Sequence, residues 1–185
     1  MEDLQYQKII DHLILEELGN GKTITLRVSG KSMYPLIKPG DSIRIEKCAP
    51  GALAIGDIIT FKKDGIYLTH RVLWVRKKDN GIILITKGDN EINVDSPVSP
   101  NHIVGKAVAI KRAKRTLDLE SPFWRYINPF LGMIFLMETI FILFYRIAAS
   151  KFMPLRAFVR ATFKPSHLYR RLRKRGLGLA TRMIG

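Results

Sequence analysis

From position 150 to the C-terminus at position 185 the chain has no Asp or Glu, against ten Lys and Arg. Cysteine is almost missing too. Cys48 stands alone, which excludes an intrachain disulfide and a cysteine-based zinc site and leaves the redox compartment open. His12, His102 and His167 show no metal-ligand spacing, and no cofactor or metal is called for. The N-terminus, Met1-Glu2-Asp3-Leu4, is acidic and lacks an apolar core, so no cleavable signal peptide is expected. Between Thr23 and Arg112 no long helical period intervenes, which excludes a doubly wound α/β sheet.

What remains is 185 residues with 46% hydrophobic and 25% charged side chains, the balance of one folded domain plus an appendage. The formal net charge of +15 points to an anionic partner, nucleic acid or a membrane surface. Its distribution is uneven. Residues 1–122 carry nineteen Lys/Arg against fifteen Asp/Glu, an ordinary mildly basic domain, while the excess sits in the tail.

Four parts are expected. Residues 1–22 place Leu4, Ile9, Ile10, Leu13, Ile14 and Leu18 at helical spacing before Gly19, which predicts a packed amphipathic helix. Residues 23–115 alternate short β-branched runs with Gly, Asp, Asn and Pro. The spacing predicts strands at Ile24–Val28, Ser42–Glu46, Asp57–Lys62, Ile66–Arg76, Ile82–Lys87 and Ile103–Lys111, with hairpin turns at Lys63-Asp64-Gly65 and Lys78-Asp79-Asn80-Gly81. The fold class is therefore mostly β, an antiparallel domain with an N-terminal helix and C-terminal helical segments.

Residues 123–149 form the third part, an apolar, membrane-associated helix that either crosses the bilayer or lies at its interface. Eleven Leu, Ile and Phe between Phe130 and Ile147 favour insertion by roughly 3–7 kcal/mol, and Glu138 near the centre takes back about 3 kcal/mol. Residues 150–185 are the fourth part. Leu155, Phe158, Val159, Phe163, Leu168 and Leu172 are interleaved with arginines and lysines, which predicts a basic amphipathic tail on anionic lipid headgroups, favoured over nucleic acid by the neighbouring apolar helix.

Three segments carry chemistry. Ser32, in Ser29-Gly30-Lys31-Ser32-Met33-Tyr34-Pro35, follows a strand on a turn where a hydroxyl projects freely; a serine needs a base to act as a nucleophile. His70, in Thr69-His70-Arg71-Val72, supplies an imidazole able to take that proton. Asp89 and Asp95, in and after Thr86-Lys87-Gly88-Asp89-Asn90, are the carboxylates that can orient an imidazole. Each segment alone also reads as ordinary strand or turn.

Together, Ser-Met-x-Pro with Gly40-Asp41, Gly56-Asp57-Ile58-Ile59-x-Phe61, His70-Arg71-Val72 and Thr86–Asn90 are similar in order and spacing to the signal peptidase I family, of the S24/S26 type, within the wider group that holds the LexA-like self-cleaving repressors. The resemblance spans about Leu26–Lys111. It is to the Ser-His branch found in the endoplasmic reticulum, archaea and some spore-forming bacteria. It implies a LexA/signal-peptidase-like β domain and a serine endopeptidase that removes signal or leader peptides from precursor proteins. In that reading Ser32 is nucleophile, His70 general base and Asp95 the orienting acid, with Asp89 the fallback. The Ser32 backbone N–H serves the oxyanion, and Met33 and Pro35 line the substrate path. In the lysine-type enzymes a hydroxyl sits two residues before the nucleophile; here that position is Gly30, and Ser29 is one place off. Relatives also carry a membrane anchor before the serine box, where this chain has the 1–22 helix.

Two other readings compete. One is a cytosolic peptidase that matures a leader peptide from the inner leaflet. The other is a LexA-like self-cleaving DNA-binding regulator, which about 20 residues before the β domain are too few to equip with a helix-turn-helix module.

Overall fold

The computed structural model of the chain describes residues 2–78 and 81–151. The expected basic tail at 150–185 lies almost entirely outside them, and residues 79–80 of the second hairpin turn lie outside as well.

Helix α1 (Glu2–Gly19) leads into seven antiparallel strands. These are β1 (Ile24–Arg27), β2 (Ser42–Glu46), β3 (Ile58–Lys63), β4 (Ile66–Lys78), β5 (Gly81–Lys87), β6 (Ile103–Arg112) and β7 (Arg115–Asp118). Helix α2 (Pro122–Lys151) follows. The sheet runs β1-β2-β6-β3-β4-β5, with β7 also paired to β6. The β3–β4 hairpin turns on Asp64 and Gly65, both at positive φ (50° and 79°), as a two-residue loop between twisted strands requires. Six strands match the predicted runs to within two residues at either end. The seventh, Arg-Thr-Leu-Asp, is too short and too polar to show a period of two.

Period-two burial builds the core. Ile43 and Ile45 of β2, Ile58 of β3, and Ala107 and Ile110 of β6 close over Met33, Leu36 and Ile37 from the serine loop and Trp124 from α2. A second cluster joins Ile59, Phe61, Val72 and Leu84. Burial of a side chain of this size contributes about 1.5–3 kcal/mol.

The loop 29–40 is closed at its base. Val28 N donates to Asp41 O and Gly40 N to Val28 O, both 2.8 Å, with Gly40 at φ 91°. Asp41, buried, takes Lys38 N at 2.7 Å and a two-pronged contact from Arg112 Nε and Nη2 at 2.9 and 2.6 Å. Asp41 raises the Arg112 guanidinium above its ordinary value, against the cost of desolvation. The Gly-Asp pair is thus a clamp that fixes where Ser32 stands.

The helices depart from simple expectation. Helix α1 buries Leu18, but Ile9, Ile10 and Leu13 stay about half exposed. It is tied down by Asp11, which bonds to Lys62 of β3 and Tyr67 of β4. Helix α2 continues through Pro129 as one element of 30 residues. It is long and apolar enough over Pro122–Ile147 to be a candidate membrane span, yet one side of it is docked on the β domain. Gly132 meets the Gly56 backbone so closely that a Cβ would stand 2.7 Å from Gly56 N. Phe135 packs on Leu73. The opposite side exposes Phe130, Met133, Met137, Phe141 and Phe144.

Candidate functional site

Strand alternation places the candidate residues. His70 on β4 and Thr86 on β5 are diagonal neighbours on one face of the hairpin, since Val72 is paired with Thr86 and shares His70's side. Asp95 returns to this face: its N–H bonds Thr86 O at 2.8 Å, and its Oδ2 accepts from Thr86 Oγ1 at 2.7 Å. The same Oδ2 lies 2.7 Å from His70 Nδ1. An ionised carboxylate only accepts, so against it a neutral imidazole carries its proton on Nδ1 and keeps the Nε2 lone pair. Nε2 is buried and has no hydrogen-bond partner among the described residues. Phe61 covers the ring edge-on, with centroids 6.0 Å apart.

Ser32 is brought to the same end of the hairpin. Asn90 N donates to Ser32 O at 2.6 Å, and Asn90 Nδ2 to Lys31 O at 3.2 Å. Gly88 abuts it so tightly that a Cβ there would stand 3.0 Å from Ser32 Cβ. Gly88 follows Lys87, whose register partner is Arg71, the residue after His70. Met33 and Pro35 are buried under the loop, and Met33 Sδ accepts from Asp89 N at 3.4 Å. Ser29 is exposed, and nothing approaches the Cβ position of Gly30.

The two acids have separate partners. Asp95 faces His70, whereas Asp89 is fully buried on the other face and gives both oxygens to Arg71, at 2.9 and 2.8 Å. Arg71 Nη1 also donates to Gly56 O and Asn128 Oδ1, each at 2.9 Å. Lys87, equally buried, pairs with Glu138 of α2 at 3.2 Å. Sequence reasoning singled out none of Arg71, Thr86, Lys87, Asn128 and Glu138 as site neighbours. The lone acid in an apolar helix was the available signal, because such a group needs a partner.

Burial, with Asp57 nearby, pushes the Cys48 thiol above its ordinary value, which keeps it protonated and a poor nucleophile. A cleft of about 280 Å³ at the root of α2 is lined by Asp57, Lys106, Trp124 and Asn128 but by none of Ser32, His70 or Asp95.

The comparisons with known proteins agree with this architecture. The family model described as Peptidase S24-like matches residues 2–108. The chain is 37% identical over 101 residues to the signal peptidase complex catalytic subunit sec11 of Dictyostelium discoideum, covering 48% of this chain and 55% of that one. It is 39% identical over 75 residues to the signal peptidase complex catalytic subunit SEC11C of Homo sapiens, covering 39% of this chain and 38% of that one. Signal peptidase I W of Bacillus subtilis is 35% identical over 86 residues, 45% of each chain. The chain thus spans about half the length, or less, of the curated relatives it matches. With more than half of its residues inside the family match, the chain belongs to the Peptidase S24-like family.

Proposed function

We propose that the chain is a membrane-associated serine endopeptidase of the signal-peptidase type, acting on precursor proteins. The observation that carries this reading is the His70–Asp95 contact at 2.7 Å with Nε2 buried and unspent, at the hairpin end where Ser32 is held. The names of the relatives support the substrate class.

In this mechanism Ser32 Oγ attacks the scissile carbonyl while His70 Nε2 takes its proton. Asp95 holds Nδ1–H, and so fixes the tautomer and stabilises the imidazolium. Thr86, bonded to the same carboxylate oxygen, keeps Asp95 from turning away. The Ser32 backbone N–H faces the developing oxyanion. His70 then protonates the leaving amine, and water, deprotonated by the same imidazole, releases the acyl group from Ser32. Met33 and Pro35 form the floor beneath the substrate chain. The exposed apolar side of α2 meets lipid, and the +10 tail at 150–185 meets anionic headgroups.

The test is cleavage of a preprotein with small residues before the cut, by the purified full chain in phospholipid. Ser32→Ala is expected to lower kcat by at least about a thousandfold with the fold intact. Undiminished turnover removes Ser32 from the mechanism.

A further inference from the structure

Helix α2 touches the frame of the candidate site at three points along one side. Asn128 Oδ1 receives Arg71, the residue after His70. Glu138 pairs with Lys87, the residue after Thr86. Arg146 Nη2 donates to Asn93 Oδ1 at 3.2 Å, two residues before Asp95. The spacing along the helix is about 15 Å and then about 12 Å. Between the first two points Phe135 lies under both cations, 5.8 Å from Arg71 and 5.7 Å from Lys87.

We infer that Asn128 and Glu138 are positioning residues: the apolar helix acts as a splint that holds β4, β5 and the 88–95 loop in the geometry that keeps Asp95 on His70 and Gly88 against Ser32. This rests on the peptidase reading above. The physical case is that a buried lysine and a buried arginine each need a fixed counter-group, and α2 supplies part of that for both. Each cation sits one residue from a group of the candidate site on a stiff extended chain, so a shift of the cation moves its neighbour. Small misplacements of a reacting group cost turnover more than binding.

The experiment compares preprotein cleavage by the full chain in phospholipid nanodiscs for wild type, Glu138→Gln, Asn128→Ala and the pair Lys87→Gln with Glu138→Gln. Glu138→Gln leaves an ammonium facing a neutral amide, and is expected to lower kcat about tenfold with KM within about twofold. The double variant replaces the ion pair by two neutral amides able to pair with each other, and is expected to recover kcat to within about threefold of wild type. Unchanged kcat in the single variants, a rise in KM alone, or a double variant as impaired as the single overturns the inference. Should Glu138→Gln fail to fold, Asn128→Ala decides, since Arg71 keeps Asp89 and Gly56 O. Amide exchange separates this inference from the reading it rests on. Both single variants are expected to speed exchange over residues 86–95 relative to β2 and β6, whether or not any preprotein is cut. Unchanged exchange sinks the splint. A wild type no more active than Ser32→Ala sinks the peptidase instead.

Discussion

The two faces of the β4–β5 hairpin differ in how their polar groups are used. On the face with His70, Thr86 and Asp95, the threonine hydroxyl and the His70 Nδ1–H both donate to Asp95 Oδ2, and the other ring nitrogen is buried with no hydrogen-bond partner among the described residues. On the face with Arg71, Lys87 and Asp89, the guanidinium donates to Asp89, Gly56 and Asn128, and the ammonium meets Glu138. Neighbouring residues of one strand therefore serve opposite ends. A buried group such as the Arg71 guanidinium, each of whose nitrogens donates, specifies where a strand lies, whereas an unpartnered ring nitrogen is available for chemistry. A motif such as His-Arg-Val places these two roles side by side because successive side chains point to opposite faces.

The sharpest way to break this contrast is through its acids. Asp95→Asn should lower kcat by about four orders of magnitude while stability to urea changes little, because the amide favours the wrong imidazole tautomer. Asp89→Asn should do the reverse in kind. It strips the counter-charge from a fully buried guanidinium and is expected to cost about 3–5 kcal/mol in urea unfolding. Equal effects of the two substitutions on folding would erase the distinction between the faces.

The smallest effect lies outside the hairpin's site end and sharpens the comparison with half-buried pairs. Burial and then the neighbouring Asp11 raise the Tyr67 phenol above its ordinary value. Burial pulls the Lys106 ammonium down, but Glu120 and Asp57 outweigh it, so the net movement is upward. Both groups hold their protons more tightly folded than unfolded. Their contribution is complete below the ordinary values near 10 and is lost as pH rises through the folded ones. The thermal midpoint should fall gently above about pH 10, with no matching loss on the acid side from these groups. Asp11→Asn should move the Tyr67 absorbance titration back toward the ordinary value. A titration that stays where it was removes Asp11 as a cause.

The β domain was legible because its signals are local. β-branched runs mark strands, and Asp64-Gly65 marks a hairpin turn that the backbone adopts at positive φ on both residues. Ser32 and His70 stand in spaced motifs and Asp95 just after one, with Asp89 left open beside it; only the folded chain shows Asp95 on His70 and Asp89 on Arg71. What stayed hidden depends on partners far along the chain. Glu138 reads as a cost to membrane insertion until Lys87, 51 positions earlier, is seen to face it. The close approach of Gly132 to the Gly56 backbone, 76 positions apart, leaves no local signature in the sequence. Helix α1 shows an apolar stripe that predicts packing, and periodicity alone cannot say that Ile9, Ile10 and Leu13 stay half exposed among the described residues.

The docking of α2 sets a height. Asn128, Gly132, Phe135 and Glu138 fasten the helix directly to the β sheet, with no spacer between the sheet and the outward row of Phe130, Met137 and Phe144. The offset from that greasy row to Ser32 is therefore built into the packing and does not vary as it would on a tether. On the proposed peptidase reading, a peptide bond presented by a chain emerging from lipid would meet Ser32 at one depth, and substrates would be measured from the bilayer surface as by a gauge.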